Sequence, residues 1–148
     1  MSADTVMRTA FAQTPGPEFA TTAFHIPKPL PECTVAIVTT AGLAHAGEPW
    51  EDQSSEFRSF GRDERDILMA HNSTNLDRSG FAADLNVVYP IDRLEELRRD
   101  GRIGDVAPEH LSFLGSTFDL GSMRLDSGPR AARKLLDAGV HVVLLTPV

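Results

Sequence analysis

Hydrophobic periodicity changes character several times along the chain, and each change predicts an element. Between Thr34 and Gly42, "TVAIVTTAG" runs without charge, is rich in β-branched residues and ends in a glycine turn, the signature of a buried strand. In "IDRLEELRRDG", Ile91, Leu94 and Leu97 recur at helical spacing against a charged opposite face. Pro90 suits the first turn there and Gly101 supplies a left-handed stop, so a helix is predicted. A second helix is predicted over "DSGPRAARKLLDAG", with Ser127 as cap, Pro129 in the first turn, Gly139 at the end, and Ala131, Ala132, Leu135 and Leu136 as its inward stripe. "GVHVVLLTPV" follows at once and crowds apolar residues from Val140 to Pro147 into what reads as a fully buried strand.

The remaining patterns are weaker. "ADLNVVYP" reads as an extended piece, and "APEHLSFLG" is ambiguous between a short helix and a strand, with Phe113 and Leu114 buried either way. Residues 46–79 are polar and irregular; "GEPWEDQSSEFRSF" reads as loop and "DERDILMAH" as a short turn or strand. A loop of that length in a compact domain is usually functional. A helix feeding an apolar strand through one glycine is an αβ unit, and buried strands separated by helices imply a parallel sheet. The expected fold is therefore α/β, a mostly parallel sheet with flanking helices, of an incomplete Rossmann-like or flavodoxin-like kind.

Proline density sets the other boundary. Five of the ten prolines (Pro15, Pro17, Pro27, Pro29 and Pro31) precede Glu32, which excludes a continuous helix or central strand and predicts an extended arm over residues 1–32, packed through Phe19 and Phe24. Residues 33–148 are expected to form a single α/β domain.

Composition narrows the class. The chain has 148 residues, 41% of them hydrophobic and 24% charged, enough for one core and no sign of disorder. Twenty-one acidic against 14 basic residues give a formal charge of −7, with no basic cluster, which argues against a nucleic-acid or anionic-membrane surface. Apolar runs fall short of a bilayer span, and "MSADTVMRTAFAQ" lacks the build of a secretory signal, so a cytoplasmic protein is expected. The single cysteine, Cys33, excludes an internal disulfide and reads as a small buried residue opening a strand.

Candidate chemistry gathers at strand ends and in the long loop. His45 lies in "TTAGLAHAGE", and "HNSTNLDRSG" brings His71, Asn75, Asp77 and Arg78. Asp84 and Asn86 flank Leu85 and would share one face of a strand. Histidine with carboxylate could form a general base or hold a divalent metal, but no spacing matches a metal signature or a phosphate loop. Plainer readings stand beside these. His25 and His141 read as surface or packed residues, and Asp84 and Asn86 equally well fix turns through bonds to backbone. Asp92 suits a helix N-terminus, Arg98, Arg99 and Arg102 a solvated face, and Trp50 either a lid or a loop anchor.

The strings "VTTAG", "HNSTNLDRSG", "DLNVVYPIDRL", "DGRIG" and "HLSFLG", with "DAGVHVVLLTPV" after them, carry a resemblance. From Leu30 onward the chain resembles the selenoprotein B family of glycine, sarcosine, betaine and D-proline reductases. The resemblance implies that the strand "VVLLTPV" leads into a selenocysteine, or in some members a cysteine, immediately after Val148. Selenocysteine is encoded by UGA, which also reads as stop, so the chain is expected to be the amino-terminal part of a longer selenoprotein, its domain truncated at the C-terminal end.

The implied activity is redox: reductive carbon–nitrogen cleavage of an amine or amino-acid-derived substrate. The implied partners are other reductase subunits, one supplying a pyruvoyl group, and a thioredoxin-type electron donor, and this chain itself holds no cofactor; separately, the exposed edge and apolar face that a truncated sheet would leave on its last strand favour a homo-oligomer. Carried onto this sequence, His45, His71, Asp84, Asn86 and His110 are candidate substrate-binding or proton-handling residues around the nucleophile. Two other readings compete: a non-catalytic α/β domain binding a small molecule or a partner, and a metal-dependent hydrolase built from His45, His71 and Asp84.

Overall fold

The computed structural model describes residues 3–13, 18–22, 24–73, 78–115, 117 and 120–148. Strand β1 (Thr34–Thr39) is the centre of the domain, because its uncharged run leaves both faces free to be covered. The chain continues through β2 (Leu43–Ala44), β3 (Phe57–Gly61) and β4 (Leu68–Met69) to a short helix α2 (Ser79–Ala83). A single 3₁₀ turn (Leu85–Val87) then leads into α3 (Ile91–Arg99), which is followed by β5 (Asp105–Val106) and β6 (Glu109–Phe113). A wide helical turn (Met123–Ser127) feeds α4 (Gly128–Asp137), and β7 (Val142–Thr146) completes the sheet.

β7 pairs with β1 along its length in parallel, from Val35 with Val142 to Thr39 with Thr146. A strand has two edges, so β5 and β6, both also parallel to β1, share the other one. β3 closes that side antiparallel to β6, with Phe60 opposite His110. The fold is α/β, as expected, but the sheet is mixed rather than simply parallel, and β2 and β4 form a separate antiparallel pair.

Alternation along β1 builds two cores. Val35 and Ile37 face Phe60, Tyr89, Val106 and the α3 residues Ile91 and Leu94. Ala36 faces the opposite way, with Leu111, Phe113 and the α4 residues Ala131 and Leu135. α3, with Phe81 of α2 beside it, thus covers one face of the sheet and α4 the other. Gly101 and Gly139, with φ of 67° and 73°, end the two helices as their positions predict.

Several sequence expectations are corrected. Residues Ala3–Gln13, which precede the first proline, form a helix (α1), so extended chain accounts only for what is described beyond it. Phe19 and Phe24 are largely exposed. β3 lies inside the stretch read as loop, and the piece read as extended around "ADLNVVYP" is a short helix and a 3₁₀ turn. Ser127 does not cap α4; its hydroxyl donates instead to Ser55 O at 2.6 Å. Ala132 and Leu136 point outward, and Leu97 is half-exposed. β7 is an edge strand, with Leu145 68% exposed, where a fully buried strand was expected. Trp50 is a loop anchor: buried, its indole N–H donates to Leu43 O at 3.1 Å, and the Arg58 guanidinium stacks 4.3 Å from the ring centre. Among the described residues no helix is long and apolar enough to cross a membrane.

Candidate functional site

The carboxyl ends of three of the parallel strands, β1, β6 and β7, meet at one point. Beyond β1, Thr40 N–H donates to Thr146 O, and the Thr40 hydroxyl accepts from Val148 N–H at 2.8 Å, so the segment after β7 is tied to the segment after β1. Thr39 Oγ1 donates to Thr146 O at 3.1 Å, and Thr146 Oγ1 donates to Val88 O at 2.9 Å. Beyond β6, Leu114 bridges Ala41, and Gly115 follows. A methyl group on Gly115 would lie 2.7 Å from His71 Nε2, 3.0 Å from Thr40 O and 3.1 Å from Val148 O. Residues remote in sequence therefore surround a single methyl-sized point, and glycine is what leaves it open.

His71 is 2% exposed. Its Nδ1 accepts from Ser73 N–H at 3.0 Å, which assigns the proton of the neutral ring to Nε2. That Nε2 has no hydrogen-bond partner among the described residues. Burial, and then the neighbouring charge of Arg78, hold the imidazole below its usual pKa, so the neutral donor form dominates at neutral pH. Arg78 Nη2 clamps the local backbone by donating to His71 O and Ser73 O. A buried N–H donor without a partner is costly. Aimed at a strand-end point, it is suited to bind a thiolate, a selenolate or an oxyanion, or to pass on a proton.

The other candidates lie elsewhere. His45 Nδ1 pairs with Asp66 O at 3.0 Å and its ring packs on Phe60. His110, on β6, is wholly buried; Nδ1 accepts from Ile37 N–H at 3.0 Å, and its ring meets Tyr89 edge-on at 5.6 Å. Burial pushes His110 down to about 4 and the Tyr89 hydroxyl well above its ordinary value. Asn75 and Asp77 lie outside the described residues. Among the described residues no three His, Cys, Asp or Glu side chains converge as metal ligands.

Asp84 and Asn86 build the start of α3. Asp84 Oδ1 accepts from Asn86 N–H and Nδ2, while Asn86 Oδ1 accepts from Asp92 N–H at 3.1 Å and Nδ2 donates to Asp92 Oδ2. The bonds from Asn86 hold both carboxyls below their ordinary pKa. Pro90, the residue in the cap position, offers no side-chain bond, so Asn86 serves α3 as a cap from outside the helix. Asn86→Ala is expected to lower stability by about 1–2 kcal/mol, read as a shift in the urea midpoint; an unchanged midpoint would show that the network holds nothing.

Thr40 and Gly115 were not singled out by sequence patterns. A glycine closing an apolar run signals a close approach of backbone, which is the one cue "SFLG" offered.

Residues 13–148 match the family model described as glycine/sarcosine/betaine reductase selenoprotein B. The chain is 31% identical over 125 residues to D-proline reductase subunit gamma of Acetoanaerobium sticklandii, covering 82% of this chain and 51% of that one. It is 30% identical over 126 residues to sarcosine reductase complex component B subunit beta of Peptoclostridium acidaminophilum, covering 80% and 29%. Betaine reductase complex component B subunit beta of the same organism is 28% identical over 130 residues. The chain thus spans about half or less of the length of these curated relatives. No solved structure matches it.

Proposed function

The chain belongs to the glycine/sarcosine/betaine reductase selenoprotein B family, and from that premise we propose that it contributes the strand-end half of a redox site for reductive carbon–nitrogen cleavage. In this reading a selenocysteine or cysteine carried directly after Val148 is the nucleophile. Replacing a C–N bond by C–H consumes two electrons and two protons. The selenolate or thiolate would displace the protonated amine from carbon, forming an Se–C or S–C bond as the C–N bond breaks, and a dithiol of thioredoxin type would then cleave that bond, supplying the two electrons as it becomes a disulfide while the carbon takes up a proton. Other subunits of the complex would complete the site, one of them with a pyruvoyl group.

The observation that supports this reading is the convergence of Thr40, Gly115 and Val148 O around His71 Nε2. A residue following Val148 leaves the sheet at its carboxyl edge, where α/β sites form. There it meets a buried donor that has no partner of its own among the described residues. The His71 N–H would stabilise the ionised nucleophile, lowering its pKa as a neighbouring donor does. The Thr40 hydroxyl, bonded to both N–H and O of Val148, would fix the direction in which that residue leaves β7.

The test is to extend the chain beyond Val148 with cysteine or selenocysteine and the downstream residues of its own gene, and to assay thiol-dependent reduction of D-proline, sarcosine, betaine and glycine with partner subunits. Activity dependent on the added residue, and weakened about 10- to 100-fold by His71→Asn, is expected. An extended complex that reduces none of the four overturns the proposal.

A further inference from the structure

The backbone that carries the buried His71 ring is held from two sides. On its N-terminal side the core does the holding: Ala70 N–H donates to Gly42 O at 2.9 Å, and Ala70 packs against the cluster of Ala44, Trp50 and Leu114. Gly42, at φ 60°, lies so close that a methyl on it would come 3.3 Å from both N and Cα of His71. On its C-terminal side the chain turns out toward solvent, and one nitrogen closes the turn. Arg78 Nη2 donates to His71 O and to Ser73 O, the carbonyls at the two ends of the three-residue turn. Asn72, between them, is exposed and adds a bond from Nδ2 to the exposed Asp52 carboxylate.

We infer that Arg78 is the positioning residue of the strand-end site: by bridging these two carbonyls it keeps Ser73 N–H on His71 Nδ1, and so keeps the Nε2–H aimed at the point bounded by Thr40, Gly115 and Val148. Its bearing on the nucleophile rests on the redox reading above; the positioning itself does not. A neutral imidazole carries its proton on either nitrogen, and the bond made by the other nitrogen decides which. Here the deciding bond comes from Ser73, whose carbonyl Arg78 holds. Both hydrogens of Nη2 are taken up by the two carbonyls, so this nitrogen acts on the ring through the backbone. The planar guanidinium is pre-organised for such a clamp and loses less freedom per bond than a lysine ammonium. Arg78 is itself exposed, so its replacement removes the clamp without opening the core.

The experiment is ring-nitrogen NMR of the 148-residue chain, which reads the tautomer of His71 directly. The native chain should give two widely separated nitrogen resonances, those of a fixed Nε2–H form. In Arg78→Met they should move toward each other as the second tautomer is populated, and the titration midpoint of the ring should move up toward its ordinary value as the turn opens and the neighbouring charge is lost. Arg78→Lys keeps the charge and donors and should restore both readouts in large part. Unmoved nitrogen resonances in Arg78→Met, or a lysine variant no closer to the native chain than the methionine one, would overturn the assignment. A second arm uses the chain extended beyond Val148 with cysteine and follows the pH midpoint for alkylation of that cysteine by iodoacetamide. Arg78→Met should raise the midpoint when His71 is present and much less in a His71→Ala background. An equal rise in both backgrounds would mean that the cation acts on the thiolate by itself, which overturns the positioning role. No rise in either, beside ring nitrogens disturbed as expected, discards the redox reading alone.

Discussion

Gly115→Ala is expected to destabilise the domain by about 2–3 kcal/mol, the upper part of the range for forcing a methyl into a closed site, and to displace His71. The added carbon would lie 2.7 Å from His71 Nε2 and within 3.1 Å of two carbonyl oxygens, one on the segment after β1 and one after β7. Both carbonyls sit on backbone held by the Thr40 and Thr146 bonds, so neither can retreat without loosening the sheet end. The imidazole can swing away only by giving up its bond from Ser73 N–H. A double-mutant cycle separates these contributions. Gly115→Ala combined with His71→Ala should cost less than the sum of the single changes, by about 0.5 kcal/mol or more, because one of the three contacts is gone. Urea unfolding gives the energies and the His71 ring resonances report the displacement. A Gly115→Ala protein as stable as its parent, with those resonances unmoved, would show that the strand ends are not closed as described.

The elements that were legible in the sequence are those whose pattern is set locally. β1, α3 and α4 follow from an uncharged run and from 3.6-residue periodicity between a proline and a glycine, and the structure places them there. The misreadings arise where a partner decides. "VVLLT" has the composition of a buried strand, but composition does not say whether a neighbour lies on both edges; β7 has β1 on one side, and Leu145 is exposed. "FRSFG" hides in a polar stretch because an edge strand keeps charged side chains such as Arg58, which here reaches back to Glu48 O and Pro49 O. Asp84 and Asn86 mimic period-two alternation, yet their short side chains bond nearby backbone and make a turn instead.

The site divides in the same way. His71 and Arg78 could be marked as polar residues in a loop that is long for its domain. The point they serve could not, since Thr40, Gly115 and Val148 are brought together only by strand pairing across the sheet. Gly115 carries its meaning through its approach to Thr40, His71 and Val148, all remote in sequence, so a single glycine in "SFLG" gave no more than a hint of close approach.

Acidification is expected to cost the fold about 3 kcal/mol between pH 7 and pH 4, through His110 above all. In the unfolded chain this histidine takes up a proton near its usual value of 6.5; in the fold it does so only near 4. Burial is the main cause, with the charges of Arg62 and Arg65 adding to it and Glu95 opposing them. Below about pH 6.5 the unfolded chain therefore binds the extra proton first, and stability falls steadily until the folded ring also titrates. His71 acts in the same direction. The carboxyls of Asp84, Asp92 and Glu95 are held low in the fold, so their contributions are lost only at more acid pH, below their ordinary values of 3.8 and 4.5. The window from pH 6.5 to 5 thus isolates the histidines. Urea midpoints measured across it should decline with pH in the native chain and less steeply in His110→Gln, whose side-chain carbonyl can still accept from Ile37 N–H while titrating nowhere in the window. A midpoint that stays level from pH 7 to 5 would mean that neither ring is buried as neutral imidazole, and an undiminished slope in His110→Gln would move the acid sensitivity from His110 to His71 at the strand ends.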